Sequence, residues 1–376
     1  IFIPYQMKLQ KLSNIKGPIS LIFDNCQFND YTFQLLIEHL GKFNGEYQRL
    51  SFNNLQFTSC MIELLFEMVK KTRSFRTLEM FELSNVVPSA DFTRERLNKA
   101  AGILLHQCPL LSSAIFSFKK QLSYSVPVSL SLFLPHNIIS EIVINGQMIT
   151  EKFSTITLNP YLRLFDLSKN TFSMDSLQSI FSLLSSINRP NGFVFSIQDI
   201  SINDSDWNSF FEFLTTLQPI QCITELDWSG NPIPSEHIET FVRTFFSNDL
   251  IRYISIDRVF SSSSINELCQ LMTLIKQNLN GRSLWGLSIK GDDDHNFSGN
   301  SFSSFLSNLA IISPFHSLNI NSHKLLEPDL MCLVDFLKQH KEICEISIDD
   351  TRIQNARSLY SFYSKLFNFI FLFSQS

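Results

Sequence analysis

The chain is poor in the residues and spacings that catalytic and cofactor sites usually announce. Glycine is scarce, 11 in 376 residues, and Gly41-Lys42-Phe43 lacks the rest of a phosphate-cradling loop. No Cys-x-x-Cys, His-Glu-x-x-His or Gly-x-Ser-x-Gly occurs, so the zinc, metallopeptidase and nucleophile-elbow signatures are all missing. The seven cysteines are odd in number and lack paired short spacings, which fits reduced thiols and a cytoplasmic location. Positive charge is short too. Lys and Arg total 30 against 35 Asp and Glu, a net charge of −5, the opposite of the basic footprint a nucleic-acid partner needs. The apolar run Leu366 to Phe373 falls far below the ~20 residues of a membrane span and is expected to be part of a terminal helix or of a repeat cut short. With neither an initiator Met nor a signal peptide, the sequence reads as a piece of a longer chain.

The remaining candidates for chemistry are thin. Asp292, Asp293, Asp294 and His295 are adjacent, without the alternating acidic spacing and terminal Glu of a calcium loop. His316 and His323 flank a strand without a Cys or His companion at zinc spacing. The sequence therefore nominates no catalytic residue, no metal ligand and no cofactor.

What is abundant is phenylalanine, 37 residues, in a chain that is 44% hydrophobic. Much of it falls into one recurring pattern. Leu226-x-Trp228 alternates as a strand does, and Ile238, Phe241, Val242 and Phe245 follow at helical spacing. The same unit recurs as Leu21-x-Phe23 with Phe33, Leu36, Ile37 and Leu40, and as Leu50-x-Phe52 with Ile62, Leu65, Phe66 and Val69. It returns at Phe165 with Leu177, at Phe195 with Trp207 and at Leu318 with Leu330. In these six units the first strand residue lies 12 positions before the first helix residue. Looser copies start at Leu78, Ile254, Leu287 and Ile346, with start-to-start distances mostly of 28 to 31 residues. Neither half of such a unit can bury its apolar face alone, so a repeat of this length predicts a solenoid in which each unit covers the next.

The sequence is thus read as one domain over 1–376. Residues 1–17 are a remnant of a preceding unit, 84–137 are irregular repeats punctuated by prolines, and 350–376 are a terminal repeat or cap. Helix starts are marked by Ser264-x-x-Glu267, read as a capping box, and by Pro328-Asp329.

Leu162 to Phe172 and Ile223 to Ile233 follow the spacing LxxLxLxxNxL, and in this the chain resembles the leucine-rich-repeat proteins. Unit length and the full helix in each unit resemble the ribonuclease-inhibitor-like subclass. The Phe- and Ser-rich repeats look like those of CARMIL-type cytoskeletal scaffolds. The resemblance implies an α/β solenoid, a horseshoe or arc of about 11–12 repeats, with parallel strands on the concave face and helices on the convex face. It also implies a non-catalytic scaffold for a protein partner, with a part in actin-cytoskeleton regulation. The alternative that the resemblance offers is a GTPase-activating protein of the Ran type, which acts through a positioned Arg.

In such a fold the residues between the apolar strand positions face outward. They are polar and mildly acidic. Asp166, Ser196, Glu225, Asp227, Tyr253, Ser255 and Asp257 are the expected contacts for a basic or mixed-charge protein partner. Asn170 and Asn231 are assigned a structural role, bonding buried loop backbone where the chain leaves the strand.

Overall fold

The computed structural model describes residues 17–89, 93–119, 129–136, 138–153, 157–203 and 205–348. The chain has an α/β fold whose strands pair in parallel. It divides into two compact units, Ile1–Leu183 with Ile200–Asp204, and Leu184–Asp199 with Ser205–Ser376.

The first unit holds β1 (Pro18–Asp24), α1 (Asp30–Gly41), β2 (Glu46–Asn53), β3 (Gln56–Phe57), α2 (Ser59–Lys71), β4 (Met80–Pro88), α3 (Arg94–Gln107) and β5 (Ser113–Phe118). It continues with β6 (Glu141–Asn145), β7 (Met148–Ile149), β8 (Leu164–Asp166), β9 (Thr171–Phe172), the start of α4 (Met174–Ser186), and β11 (Ser201–Ile202). Its main sheet runs β1-β2-β4-β5-β6-β8, and β7, β9 and β11 form a small second sheet. The second unit contains β10 (Asn188–Ser196), α5 (Trp207–Leu214), β12 (Gln221–Asp227), α6 (Ile238–Phe246), β13 (Tyr253–Ser255) and α7 (Ile265–Asn278). It ends with β14 (Gly286–Ser288), α8 (Asn300–Ile311), β15 (Ser317–Asn319), α9 (Glu327–Gln339) and β16 (Glu345–Ser347). Its sheet runs β10-β12-β13-β14-β15-β16.

Register explains why these short runs become strands. In the first unit Leu21, Leu50, Phe81, Ala114, Ile142 and Phe165 are successive partners. In the second, Phe195, Leu226, Ile254, Leu287, Leu318 and Ile346 are. Each column buries apolar side chains on one face, only the terminal Ile346 being half-buried, while the alternate residues point the other way. Helices close the buried face. Phe33 of α1 lies 5.9 Å from Phe52 of β2, and Phe66 of α2 lies 5.6 Å from Phe81 of β4. The helical quartets Phe33, Leu36, Ile37, Leu40 and Ile238, Phe241, Val242, Phe245 are the buried faces of α1 and α6.

Chain reversal after most of the described sheet strands uses the left-handed region. Asn25, Asn54, Asn85, Gly146, Lys169, Asp199, Gly230, Arg258 and Ser322 all have positive φ, each two residues past the second apolar strand position. At Gly230 the reason for glycine is double. Its φ is +71°, and a Cβ there would stand 1.8 Å from Asp199 Oδ1, inside the ion pair that Asp199 makes with Arg258 Nη2 at 2.9 Å.

Two expectations change. Strand β4 does not start at Leu78. A 3-10 helix, Arg73–Thr77, delays it, so Phe81 enters the buried column, and Met80, Glu82 and Ser84 take the alternate positions. The helix at Ile265 is not capped by Ser264 and Glu267. A 3-10 turn comes first, and its capping box is Ser261 with Ser264. Among the described residues no helix is long and apolar enough to cross a membrane, and none of the seven cysteines is in a disulfide bond. The run Leu366 to Phe373, the helix expected after Ile346 and the cap at 350–376 lie outside the described residues.

Trp228 shows how aromatic the core is. It is wholly buried, with ring centroids of Trp207, Phe211, Phe241 and Phe245 at 5.2–5.9 Å, and its Nε1–H donates to the Pro232 carbonyl at 3.4 Å. Trp228→Ala is expected to destabilise the chain by about 3–5 kcal/mol, read from the urea midpoint by far-UV circular dichroism.

Candidate partner-binding face

The outward face of the second unit carries a concavity of about 230 Å³. It is lined by Val194 and Ser196 of β10, Glu225, Leu226 and Asp227 of β12, Tyr253 and Ser255 of β13, Ser288 of β14, Lys290 just beyond it, and Asn319 of β15. Parallel pairing places Glu225 beside Tyr253 and Asp227 beside Ser255. Five of the seven residues nominated from the sequence, Ser196, Glu225, Asp227, Tyr253 and Ser255, therefore line one hollow.

Their electrostatic states differ. Glu225 is exposed and makes no ion pair among the described residues. Asp227 is half-buried, accepting the Ser229 N–H at 3.0 Å and the Ser196 hydroxyl at 3.3 Å. The Tyr253 hydroxyl is pushed above its ordinary pKa, first by burial and then by the Asp257 charge, with Glu225 and Glu345 adding and a bond with Ser288 opposing.

Asp257 and Asp166 stand apart from this group. Asp257 was expected to face solvent, but it is 4% exposed. Its Oδ1 accepts the Ser288 hydroxyl at 2.6 Å and the Lys290 N–H at 2.7 Å, and its Oδ2 lies 3.6 Å from Lys290 Nζ. Its neighbours cause this: Ser288 and Lys290, which themselves line the hollow, enclose the carboxylate on the outward face. Asp166 belongs to the first unit, where its Oδ1 accepts the Ser168 N–H at 2.8 Å.

Asn170 and Asn231 carry the backbone of the turns. The Asn231 amide donates to the Ile197 carbonyl at 2.8 Å. The Asn170 amide donates to the Ile144 and Leu167 carbonyls at 2.5 and 2.7 Å, and its Oδ1 accepts the Gln147 N–H at 2.8 Å. Two residues that sequence reasoning missed do the same work. Gln147 donates to the Phe116 carbonyl at 3.2 Å, and His323 Nε2 donates to the Ile289 carbonyl at 2.9 Å. In all four cases the acceptor is the second apolar position of the preceding strand. The signal was in the spacing: Ile142-x-Ile144-x-x-Gln147-x-Ile149 and Leu318-x-Ile320-x-x-His323-x-Leu325 match Phe165-x-Leu167-x-x-Asn170-x-Phe172.

Groups that resemble chemical machinery are otherwise engaged. Ser313, His340 and Glu342 meet, but Ser313 Oγ at 3.0 Å and Glu342 Oε1 at 3.3 Å share the one ring atom Nδ1 of His340. A hydrolytic triad instead places the imidazole between hydroxyl and acid, using both nitrogens. Asp292 Oδ1 accepts the N–H groups of Asp294 and His295 at 2.9 and 2.7 Å, and Asp293 pairs with Lys324 at 3.0 Å. A larger cleft of about 530 Å³ between α2 and α3 is bridged by Glu63 and Arg96 at 3.3 Å, and none of the nominated residues lines it.

Two outcomes are expected. Asp257→Ala strands the Ser288 hydroxyl and the Lys290 N–H and should destabilise by about 1–3 kcal/mol, whereas Glu225→Ala should stay within about 0.5 kcal/mol, both measured by urea unfolding. His323 is wholly buried with its Nδ1 facing the Phe297 N–H at 3.4 Å, and burial holds its pKa below the ordinary 6.5 against the opposing pull of the Ile289 carbonyl, Asp257 and Asp292. The unfolded chain therefore takes up a proton first as pH falls. Stability is complete above about pH 6.5 and declines from there toward the lower folded pKa. His323→Asn, which keeps an N–H donor, should flatten that decline below about pH 6.5 in the same measurement.

No protein-family model matches the chain, and a search of curated proteins gives no match.

Proposed function

We propose that the chain is a leucine-rich-repeat solenoid of the ribonuclease-inhibitor-like subclass and a non-catalytic scaffold that holds a protein partner on the polar face of its parallel sheet. The carrying observation is the hollow over β10 and β12–β15. It is open, lined by hydroxyls, and borders an unpaired carboxylate at Glu225 and a half-exposed one at Asp227. Such a surface suits recognition of basic groups. Carboxylates at its edge add attraction and on-rate, and the hydroxyls bond backbone or side chains of an arriving segment. The solenoid reading is supported by the in-register columns, the left-handed residue after successive strands, and the matched donors Gln147, Asn170, Asn231 and His323. The cysteine usage supports a cytoplasmic location, and the resemblance to CARMIL-type scaffolds supports a part in actin-cytoskeleton regulation.

The test is selection of a random displayed peptide library on the chain, followed by binding of the selected peptides to the Glu225→Lys, Asp227→Lys double variant. Selected peptides are expected to be rich in Lys and Arg and to lose at least about tenfold in affinity to the double variant, whose unfolding midpoint stays put. Charge reversal at Asp257 is unsuitable, because it would test folding. A selection that enriches nothing, or peptides indifferent to the reversal, would remove this reading.

A further inference from the structure

Tyr253 opens β13, and its partner in β14 is Gly286. A Cβ at residue 286 would stand 2.5 Å from both Cδ2 and Cε2 of Tyr253. The ring therefore lies across the neighbouring strand, in space that only glycine leaves. It also lines the hollow, so part of it is open to an arriving group.

The charges around that ring are uneven. On the β12 side stand Glu225, exposed, and Asp227, half-buried. Lys290, the one cation lining the hollow among the described residues, stays beside Asp257 at 3.6 Å. Arg252 is exposed at the rim, where its carbonyl accepts the Gly286 N–H at 3.1 Å. An entering cation is drawn to the Glu225 side and away from the rim. At the rim, Trp285 directly precedes Gly286. It is 56% exposed and leans on the His316 ring at 4.8 Å. Exposed Trp beside a polar hollow is the residue type that anchors interfaces.

We propose that this part of the face docks an arginine-bearing segment of a protein partner, with the guanidinium against the Tyr253 ring, Glu225 and Asp227 as its counter-charges, and an adjacent apolar residue against Trp285. The inference rests on the scaffold reading and gives it a chemistry. Arginine fits better than lysine. Its planar head can stack on an aromatic ring while its N–H groups fork toward two carboxylates.

The probe is N-acetyl-Leu-Arg-Leu amide, titrated into the whole chain and followed by Trp fluorescence, with Trp285→Phe identifying the responding indole. The analogue with citrulline in place of arginine keeps the shape and removes the charge. The arginine peptide is expected to bind saturably, about tenfold more tightly than the citrulline peptide, and more weakly as salt rises. The Glu225→Gln, Asp227→Asn double variant should erase that preference. Tyr253→Ala should weaken binding of the arginine peptide several-fold. Gly286→Ala, which displaces the ring, should do the same, and Tyr253→Ala serves alone if Gly286→Ala does not fold. Equal binding of the two peptides, no saturable binding, or variants without effect would overturn the proposal. If the tripeptide fails while library-selected peptides still depend on Glu225 and Asp227, the arginine site falls and the scaffold reading stands. If both fail, both fall.

Discussion

Strands β13 to β16 are three residues long, too short to hold together without neighbours. What makes them a sheet is registration. Leu226, Ile254, Leu287 and Leu318 meet side by side and are at most 1% exposed, so each slice of chain hides its apolar residue only when the next lies alongside. That constraint also fixes the outward face. A slip of one residue would bury Tyr253 and Gly286 and expose the column, exchanging core for surface along the whole strand. The surface on offer to a partner is therefore set by the same contacts that fold the chain.

The turns impose a second demand. When the chain leaves a strand, a carbonyl of the preceding strand loses its ladder partner, and a buried carbonyl needs a donor. Asn, Gln and His answer that need at equivalent places, since each can present an N–H on a side chain of suitable reach. The choices differ in one property. Asn and Gln do not titrate, whereas His323 does, so one turn in the second unit carries a dependence on pH that the turns built on Asn170 and Asn231 lack.

Most of the secondary structure was legible because two periods follow each other at a fixed offset. In Leu226 to Phe245 the alternating pair and the helical quartet each predict one buried face, and both faces are where the arithmetic puts them. The arithmetic failed where hydrophobicity was ambiguous. Leu78 and Phe81 are both wholly buried, so pattern alone could not say which belongs to the column. The better guide was Asn85, the left-handed residue that sits four positions after the true column residue, as Asn25 follows Leu21 and Asn54 follows Leu50. Asp257 was misjudged for another reason. Alternation says which side of the sheet an acid takes, but not that Ser288 and Lys290 beside it would enclose it. The nomination of Glu225 and Tyr253 rested on strand residues proper.

The pairing of Tyr253 with Gly286 has a purely structural use. An aromatic ring laid over a cross-strand glycine repairs the weak point that glycine makes in a sheet. That use explains the ring and the glycine, but it makes no demand on Glu225. A sheet that only needed covering would gain nothing from a carboxylate left exposed beside the ring, where its charge also disfavours ionisation of the tyrosine. Two residues past the strand, Asp257 shows the other fate of an acid on this face, enclosed and bonded to Ser288 and Lys290. Asp257 is thus spent on the fold, while Glu225 is left open to solvent. The open one stands next to the ring, and that juxtaposition is what a passing guanidinium would meet.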